Sequence, residues 1–282
     1  MCEFCVQHGE GEKWYLQAKN YSEDLLADLS RQRMIRDFSR MSVAQARREI
    51  GKMGQLDRAP TFIRWALTRR ITRRMKKRHF GQVVPIEEVE RILGFVNSVV
   101  RVGCICRKIT TDKEQRFCYA ISMGPNGGKF AELFGAVDSS FAPGPDASLG
   151  ESLTREEALR AMREHEKEGL CHTVWTFQTP FIGGICNCDR ADCLALKSTL
   201  SHAIPVLFRG EYVAEIDPAS CTGCRQCMRA CQFGALGYSA GEKRAVVDAR
   251  HCYGCGVCRA ACPAEAITLR NRADVAAVAE LW

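Results

Sequence analysis

The chain lacks several features that would place it in a common class. Its 282 residues contain no run of about 18 apolar residues, so the sequence predicts no membrane-spanning helix. Residues 1–30 hold no apolar stretch of the roughly 7 to 15 residues that a secretion signal needs. There is no P-loop, no G-x-G-x-x-G fingerprint and no C-x-x-C-H haem motif. These absences argue against a secreted protein, a P-loop or dinucleotide-binding protein, and one with covalently attached haem.

Cysteine, in contrast, is abundant, with 17 residues. A secreted disulfide scaffold would explain that number, but the missing signal argues against secretion. We therefore expect a reducing, anaerobic cytoplasm, with membrane association only through a partner.

Eight of the cysteines form a duplicated pattern. Each copy follows C-x2-C-x2-C-x3-C, and each cysteine of the first copy recurs 31 positions later. The first copy contains Cys221, Cys224, Cys227 and Cys231, and the second contains Cys252, Cys255, Cys258 and Cys262. This spacing is typical of cysteines that bind [4Fe–4S] clusters, because a tight loop presents three thiolates and the fourth comes from a distance.

Residues 211–271 closely resemble the two-[4Fe–4S] ferredoxins of bacterial type. In such proteins the last cysteine of each run ligates the other cluster. The resemblance implies one ligand set of Cys221, Cys224, Cys227 and Cys262, and a second of Cys252, Cys255, Cys258 and Cys231. Gln232 departs from the pattern, since proline usually stands there, as Pro263 does in the second copy. Zinc sites or disulfides are the alternatives.

Six further cysteines form two compact groups. Cys104, Cys106 and Cys118 make the first group, and Cys186, Cys188 and Cys193 make the second. A C-x-C pair brings two sulfurs within reach of one metal when the chain curves around it. We expect at least one additional [4Fe–4S] cluster here. The alternatives are a structural zinc ion and reduced cysteines that pack in the core.

A second resemblance covers residues 82–200. Cys104-Ile-Cys106-Arg107, Cys118 to Gly124, Gly169-Leu-Cys-His172 and Ile185-Cys186-Asn-Cys188 are similar to segments of larger ferredoxin-type proteins of anaerobic bacteria. The resemblance implies an electron-transfer subunit with a further metal site, in which Arg107 would offset thiolate charge. The chain departs from the pattern after Cys188, where relatives often have more cysteines.

The N-terminus carries a third candidate metal site, Cys2-Glu-Phe-Cys5-Val-Gln-His8. Two thiols and an imidazole suit zinc or one corner of an iron–sulfur site. Because three ligands cannot close a site, we expect a fourth from Cys171 or His172. A terminus without function is the alternative.

The positive charge is concentrated in residues 1–80, which hold 18 Lys and Arg against 9 Asp and Glu. We expect one helix from Ser22 to about Phe38, an interruption at Gly51 and Gly54, and a basic helix after Pro60. The basic helix could be a solvated face, a dock for an acidic redox partner or a peripheral contact with anionic lipid. Nucleic-acid binding is disfavoured because no recognised module accompanies the charge.

The sequence as a whole predicts an α+β protein. We expect a helical N-terminal segment (1–80), a mixed cysteine-rich domain (81–210), a two-cluster ferredoxin domain (211–271) and a C-terminal helix (272–282). The predicted function is single-electron relay, as a subunit or partner of a larger anaerobic redox enzyme. The alternative is a redox enzyme with an open cluster in the middle domain, and the sequence identifies no catalytic residue.

Overall fold

The computed structural model describes residues 2–41, 43–113, 115–134 and 150–281. Helices and strands are mixed along the chain, as expected for an α+β protein. The helices are α1 (Glu3–His8), α2 (Leu29–Ser39), α3 (Val43–Leu56), α4 (Thr61–Arg78), α5 (Ile86–Phe95), α6 (Ile105–Thr111), α7 (Gly128–Phe134), α8 (Arg155–Lys167), α9 (Leu194–Leu200), α10 (Gln226–Ala230) and α11 (Val257–Ala260). The strands are β1 (Gly81–Val83), β2 (Ser98–Val102), β3 (Cys118–Ser122), β4 (Glu151–Leu153), β5 (Cys171–Thr176), β6 (Ile182–Cys188), β7 (Leu207–Phe208), β8 (Tyr212–Ile216), β9 (Leu236–Ser239), β10 (Arg244–Val247) and β11 (Ile267–Asn271).

A seven-stranded sheet forms the centre of the middle region, with the order β4-β2-β3-β6-β5-β1-β7. Neighbours are antiparallel except β1 and β7. Because side chains alternate across a sheet, Val174 and Ile185 face one buried cluster while Cys171 and Trp175 face another. The long antiparallel register pairs Cys118 with Cys186 and Cys171 with Cys188, which brings separate cysteine motifs together.

The ferredoxin repeat consists of two small antiparallel sheets, β8 with β11 and β9 with β10. Helices α10 and α11 follow the second cysteine of each motif. The N-terminal segment packs on the middle region, since Trp14 and Tyr15 belong to the same buried cluster as Phe80 and Val174. No helix among the described residues is long and apolar enough to cross a membrane.

Local sequence signals set several helix ends. Thr154 and Glu157 form a capping box at the start of α8, and Gly169 adopts a left-handed φ of 88° after its end. Pro60 precedes α4 as predicted. On α4, Ile71 and Met75 pack against a buried cluster.

Three helix predictions are wrong. The expected helix from Ser22 is split, because the Asp28 carboxylate caps a new helix by accepting from the N–H groups of Ser30 and Arg31. Helix α3 continues through Gly51 and Gly54, where added side chains would meet nothing within 4 Å.

The third wrong prediction is the C-terminal helix. In residues 272–281 the structure has a short 3-10 helix, Arg272–Asp274, followed by turns, and Trp282 lies outside the described residues. The N–H groups of Val278 and Leu281 bond to carbonyls three residues back. So short a segment is a marginal α-helix, and buried Arg272 and Val278 anchor it instead.

Candidate iron–sulfur and metal sites

The first cavity of the ferredoxin repeat gathers cysteines from both copies. Cys221, Cys224 and Cys227 line it together with Cys262 from the second copy, around about 320 Å³ of free space. Apolar groups such as Ala266 and Ile267 complete the wall. Cys224 is exposed, so this cavity lies close to the surface.

The second cavity is its counterpart, lined by Cys252, Cys255, Cys258 and Cys231, with about 350 Å³ of free space. Cys252, Cys255 and Cys258 are buried. Both cavities therefore bring together the cysteine sets that the resemblance implies, including the exchange of the last cysteine between copies. Four thiols around an apolar space suit a [4Fe–4S] cluster. The assignment of individual sulfurs as ligands stays a prediction.

The backbone of the repeat explains how the loops present their sulfurs. Three pairs of equivalent positions have a positive φ, and these pairs are Gly223 with Gly254, Arg225 with Gly256, and Gly234 with Glu265. A Cβ on Gly254 would lie 2.2 Å from the carbonyl oxygen of Tyr212, so glycine is required there.

Backbone amides also face the cysteine sulfurs. The N–H groups of Ala235 and Ala266 donate to Sγ of Cys231 and Cys262, each at 3.3 Å, and Ala214 donates to Cys252 at 3.4 Å. Such donors stabilise thiolates and raise the potential of a cluster that the thiolates hold.

Gln232, which replaces the usual proline, joins the repeat to the middle region. Its Nε2 donates to the Gly169 carbonyl at 2.6 Å, and its Oε1 accepts from the Arg190 N–H at 2.8 Å. Proline could make neither bond. The substitution thus holds the loop after Cys231 against two segments that flank Cys171 and Cys188.

A third and larger cavity brings together both cysteine groups of the middle region. It has about 730 Å³ of free space. All six predicted cysteines line it: Cys104, Cys106, Cys118, Cys186, Cys188 and Cys193. They come from the start of α6, from β3 and β6, and from the residue before α9. The sheet register and the α6 and α9 termini therefore unite residues that lie up to 89 positions apart.

The six thiols form two interacting groups. Cys118 hydrogen-bonds with both Cys104 and Cys186, and Cys193 with both Cys106 and Cys188. The Sγ atoms of Cys188 and Cys193 are 3.2 Å apart. The hydrogen bonds from Cys106 and Cys188 lower the pKa of Cys193 well below its ordinary value, so Cys193 is the favoured thiolate of its group.

The spacing of these thiols differs from that of a mononuclear site. All six belong to the described residues, and no three of them have Sγ atoms that all lie within 4.8 Å of one another. A tetrahedral zinc ion with Zn–S distances of about 2.3 Å would hold its sulfurs about 3.8 Å apart. The six thiols thus form close pairs rather than one compact set of three or four.

The positive charge of Arg107 is paired with carboxylates and does not act on the thiols alone. Its buried guanidinium lies 3.2 Å from the Asp192 carboxylate and also pairs with Asp189. The guanidinium stacks over the Phe117 ring at 4.2 Å. Arg107 therefore braces the loop between Cys188 and Cys193, and the predicted neutralisation of thiolates is shared with two carboxylates.

His79 was missed by the sequence analysis, although it lines the six-cysteine cavity. Its Nδ1 lies 2.5 Å from the Thr176 carbonyl oxygen, so Nδ1 carries the proton and Nε2 a lone pair. Burial lowers the pKa of His79 to about 4, which keeps the ring neutral. The basic sequence around this residue gave no signal for such a position.

Cys171 and His172 are not brought to the N-terminal motif, contrary to the expectation. Cys171 is buried beside Cys255, whose charge interacts with it. The His172 ring lies 2.6 Å, through Nδ1, from Oδ1 of Asn187, and its buried Nε2 has no protein partner. Desolvation lowers the pKa of His172 to about 4.

The N-terminal cysteines instead meet Glu211. Among the described residues, Cys2, Cys5 and Glu211 are the one group whose three ligand atoms all lie within 4.8 Å of one another. His8 is not part of it, and its ring stacks against Phe4 with a centroid distance of 6.2 Å.

A continuous buried cluster connects the second ferredoxin cavity with the six-cysteine cavity. Phe233 and Tyr253 stack at 4.1 Å next to Cys255, and the same cluster contains Cys171, Cys188 and Cys193. The two cavities are thus neighbours within one packed core.

Comparison with known proteins places the repeat in a family. Residues 214–269 match the model of the 4Fe-4S dicluster domain. No curated protein matches the chain. The family match and the paired cavities together establish iron–sulfur electron transfer as the chemistry of this segment.

Proposed function

We propose that the chain relays single electrons between its ferredoxin repeat and an additional iron–sulfur centre in the six-cysteine cavity. The observation that carries the proposal is the shared buried cluster, in which Cys255 of the repeat packs with Cys171, Cys188 and Cys193 of the middle region. Iron–sulfur clusters supply reversible one-electron chemistry, and their potentials depend on burial, charge and hydrogen bonds to sulfur.

The residues of the chain would hold and tune these centres. The cysteines of the three cavities supply thiolates, and Ala214, Ala235 and Ala266 supply N–H groups to sulfur. The stacked rings of Phe233 and Tyr253 line the second ferredoxin cavity and belong to the shared buried cluster. Gln232 holds the ferredoxin repeat against the middle region through its two hydrogen bonds.

The two ends of the proposed relay differ in their surroundings. The first ferredoxin cavity has the exposed Cys224, which suits exchange with a partner. The six-cysteine cavity includes His79, which directly follows the basic helix α4. We propose that α4 docks an acidic redox partner near this second end.

The exposed side chains of α4 support a docking role. Phe62 and Trp65 are 73% and 62% exposed, and the Arg69 guanidinium lies 5.3 Å from the Trp65 ring. Aromatic and arginine side chains are enriched at protein interfaces.

Replacing Arg69, Arg70, Arg73 and Arg74 with Glu should abolish salt-sensitive binding to a poly-aspartate peptide. Binding only to phosphatidylglycerol vesicles would support a lipid contact and overturn the protein dock.

The relay is tested by iron analysis of the full chain purified without air. Three [4Fe–4S] centres predict about 12 iron atoms, and two predict about 8. Cys106→Ser/Cys193→Ser should lower the content by about 4 and remove one set of electron paramagnetic resonance signals. Cys171→Ser is the matched control, since this buried thiol does not line the cavity. About 8 iron atoms in the unmodified chain would contradict the additional centre.

The size of the third cavity favours a second candidate, an enzyme with an open cluster site. Its free space of about 730 Å³ is about twice that of either ferredoxin cavity. The rings of Phe38, Trp175 and Phe177 also line it. Cyanide or carbon monoxide should then change the resonance signal that Cys106→Ser/Cys193→Ser removes. An unchanged signal would contradict the open cluster site and would leave electron relay as the function.

A further inference from the structure

We infer that Cys2, Cys5 and Glu211 bind one divalent, thiophilic metal ion of the zinc class. This site is separate from the three cysteine cavities and goes beyond the proposed relay. The sequence predicted a metal near Cys2 and Cys5 but placed His8 in it. The geometry assigns Glu211 instead.

The ligand atoms already have nearly the spacing of a mononuclear site. Sγ of Cys5 lies 3.3 Å from Sγ of Cys2 and 3.2 Å from Oε1 of Glu211. Zn–S distances of about 2.3 Å and Zn–O distances of about 2.0–2.2 Å imply separations of about 3.8 Å and 3.5 Å. Outward movements of a few tenths of an ångström would therefore admit the ion.

The two sides of the site are held by separate parts of the structure. Cys2 caps helix α1 by accepting from the Cys5 N–H at 3.4 Å, which places both sulfurs together. Phe4 stacks on Phe80 at 4.5 Å and anchors the helix. On the other side, the carbonyl of Glu211 accepts from the N–H of Arg272 at 2.9 Å. The site is thus preorganised.

The site is buried, and without an ion the Cys2 thiol donates to Sγ of Cys5 while the Cys5 thiol donates to Oε1 of Glu211. Cys5 is 0% exposed, and both it and Cys2 lie in the core around Trp14 and Phe80. Thiolates beside a carboxylate repel one another, and a divalent cation would offset that charge. The mixed sulfur and oxygen donor set suits zinc.

Tyr15 provides an independent observation. It is 0% exposed, and its hydroxyl has no hydrogen-bond partner in the protein. Tyr15 lies in the same buried cluster as Cys2 and Cys5. A water molecule on the fourth metal position would supply the missing partner.

The expected role is to join the N-terminal helix to the ferredoxin repeat. Glu211 immediately precedes strand β8, and Ala214 of that strand donates its N–H to Cys252. Lys13 supports the same junction, with Nζ 2.6 Å from Glu88 Oε1 and in contact with the Tyr212 hydroxyl. The ion would tie residues 2–5 to the strand that borders the second ferredoxin cavity.

The test is metal analysis of the full chain purified without air from zinc-supplemented cells. We expect about one zinc atom per chain, lost in Cys2→Ser/Cys5→Ser, with iron unchanged. Replacing a residue that only hydrogen-bonds to a metal ligand changes metal affinity about 10- to 100-fold. Glu211 would be a ligand itself, so Glu211→Gln should weaken zinc binding by at least that factor. Cys171→Ser and Glu215→Gln are matched controls, a buried thiol outside the group and an exposed carboxylate of the same strand.

Cobalt substitution gives a readout that does not depend on cluster content. Co²⁺ should produce thiolate charge-transfer bands that are absent from Cys2→Ser/Cys5→Ser. Tyr15→Phe keeps all three ligands and should retain cobalt with altered d–d bands. The inference is overturned if the unmodified chain binds neither zinc nor cobalt, or if Glu211→Gln binds them as tightly. Loss of iron from these variants, with zinc retained, would also overturn it.

Discussion

The ferredoxin repeat and the middle region gather cysteines in opposite ways. In the repeat, eight cysteines lie within 42 residues, and each cavity takes three neighbours and one cysteine from the other copy. In the middle region, six cysteines from distant segments meet through sheet register. Local loops thus specify the first type of site, whereas the whole fold specifies the second.

The first prediction tests the exchange of cysteines within the repeat and has the largest expected effect. Cys231→Ser should remove the centre to which Cys258 belongs, lowering iron by about 4 atoms per chain. Cys231→Ser/Cys258→Ser should lose no more than either single variant, because both residues line one cavity. Iron analysis and electron paramagnetic resonance measure both effects.

The control pairs cysteines from the same copy of the motif. Cys227→Ser/Cys231→Ser should lose about 8 iron atoms, because these residues line different cavities. If this pair instead lost only about 4, the exchange of the last cysteine would be wrong.

The comparison also explains what could be predicted from the sequence. The ferredoxin repeat could be predicted because its cysteines recur at fixed spacing, and the family match agrees with that prediction. The convergence of Cys118 with Cys186 depends on strand pairing, which spacing does not encode. His79 and Glu211 gave no local signal, since their roles arise from contacts over long sequence separations. Asp28 is a typical capping residue, but the helical pattern that continues on both sides of it favoured one longer helix.

The second prediction concerns the loop geometry of the repeat, which lets cysteines that are close in sequence reach the same cavity. Gly254→Ala places a methyl group 2.2 Å from the Tyr212 carbonyl oxygen at a φ of +73°. The left-handed conformation alone costs about 1–2 kcal/mol, and relief of the contact costs more. We expect a lower melting temperature and partial loss of iron. Gly241→Ala is the control, because nothing lies within 4 Å of the added Cβ; equal effects would contradict the explanation.

The third prediction weakens the junction between the two regions. Gln232→Pro restores the common ferredoxin residue but removes the hydrogen bonds to Gly169 and Arg190. Each bond contributes about 0.5–1.5 kcal/mol, so the stability should fall by about 1–3 kcal/mol. Thermal unfolding without air measures the loss, at roughly 2–4 °C per kcal/mol.

The reverse change in the second copy is the control for this junction. Pro263→Gln should leave the contact between the regions intact, since the Gln232 bonds remain. A Gln232→Pro variant as stable as the unmodified chain would show that packing of Phe233 and Tyr253 alone holds the regions together.

The last and smallest expected effect concerns Glu166, on helix α8 where the two regions meet. Glu166 is buried, and its Oε1 has no hydrogen-bond partner among the described residues. Burial raises the pKa of this carboxyl, Arg259 opposes the rise and Glu87 adds to it. The folded protein therefore holds this proton at higher pH than the unfolded chain does.

The sign of the pH dependence follows from that difference. The stabilising contribution is complete below the unfolded pKa of 4.5 and is lost as pH rises through the higher folded pKa. Glu166→Gln cannot ionise, so its melting temperature should exceed that of the unmodified chain increasingly from pH 4.5 to 7. Glu164→Gln, on the exposed face of the same helix, should show no such trend. A constant difference across this range would mean that Glu166 is ionised in the folded protein and that the junction tolerates its charge.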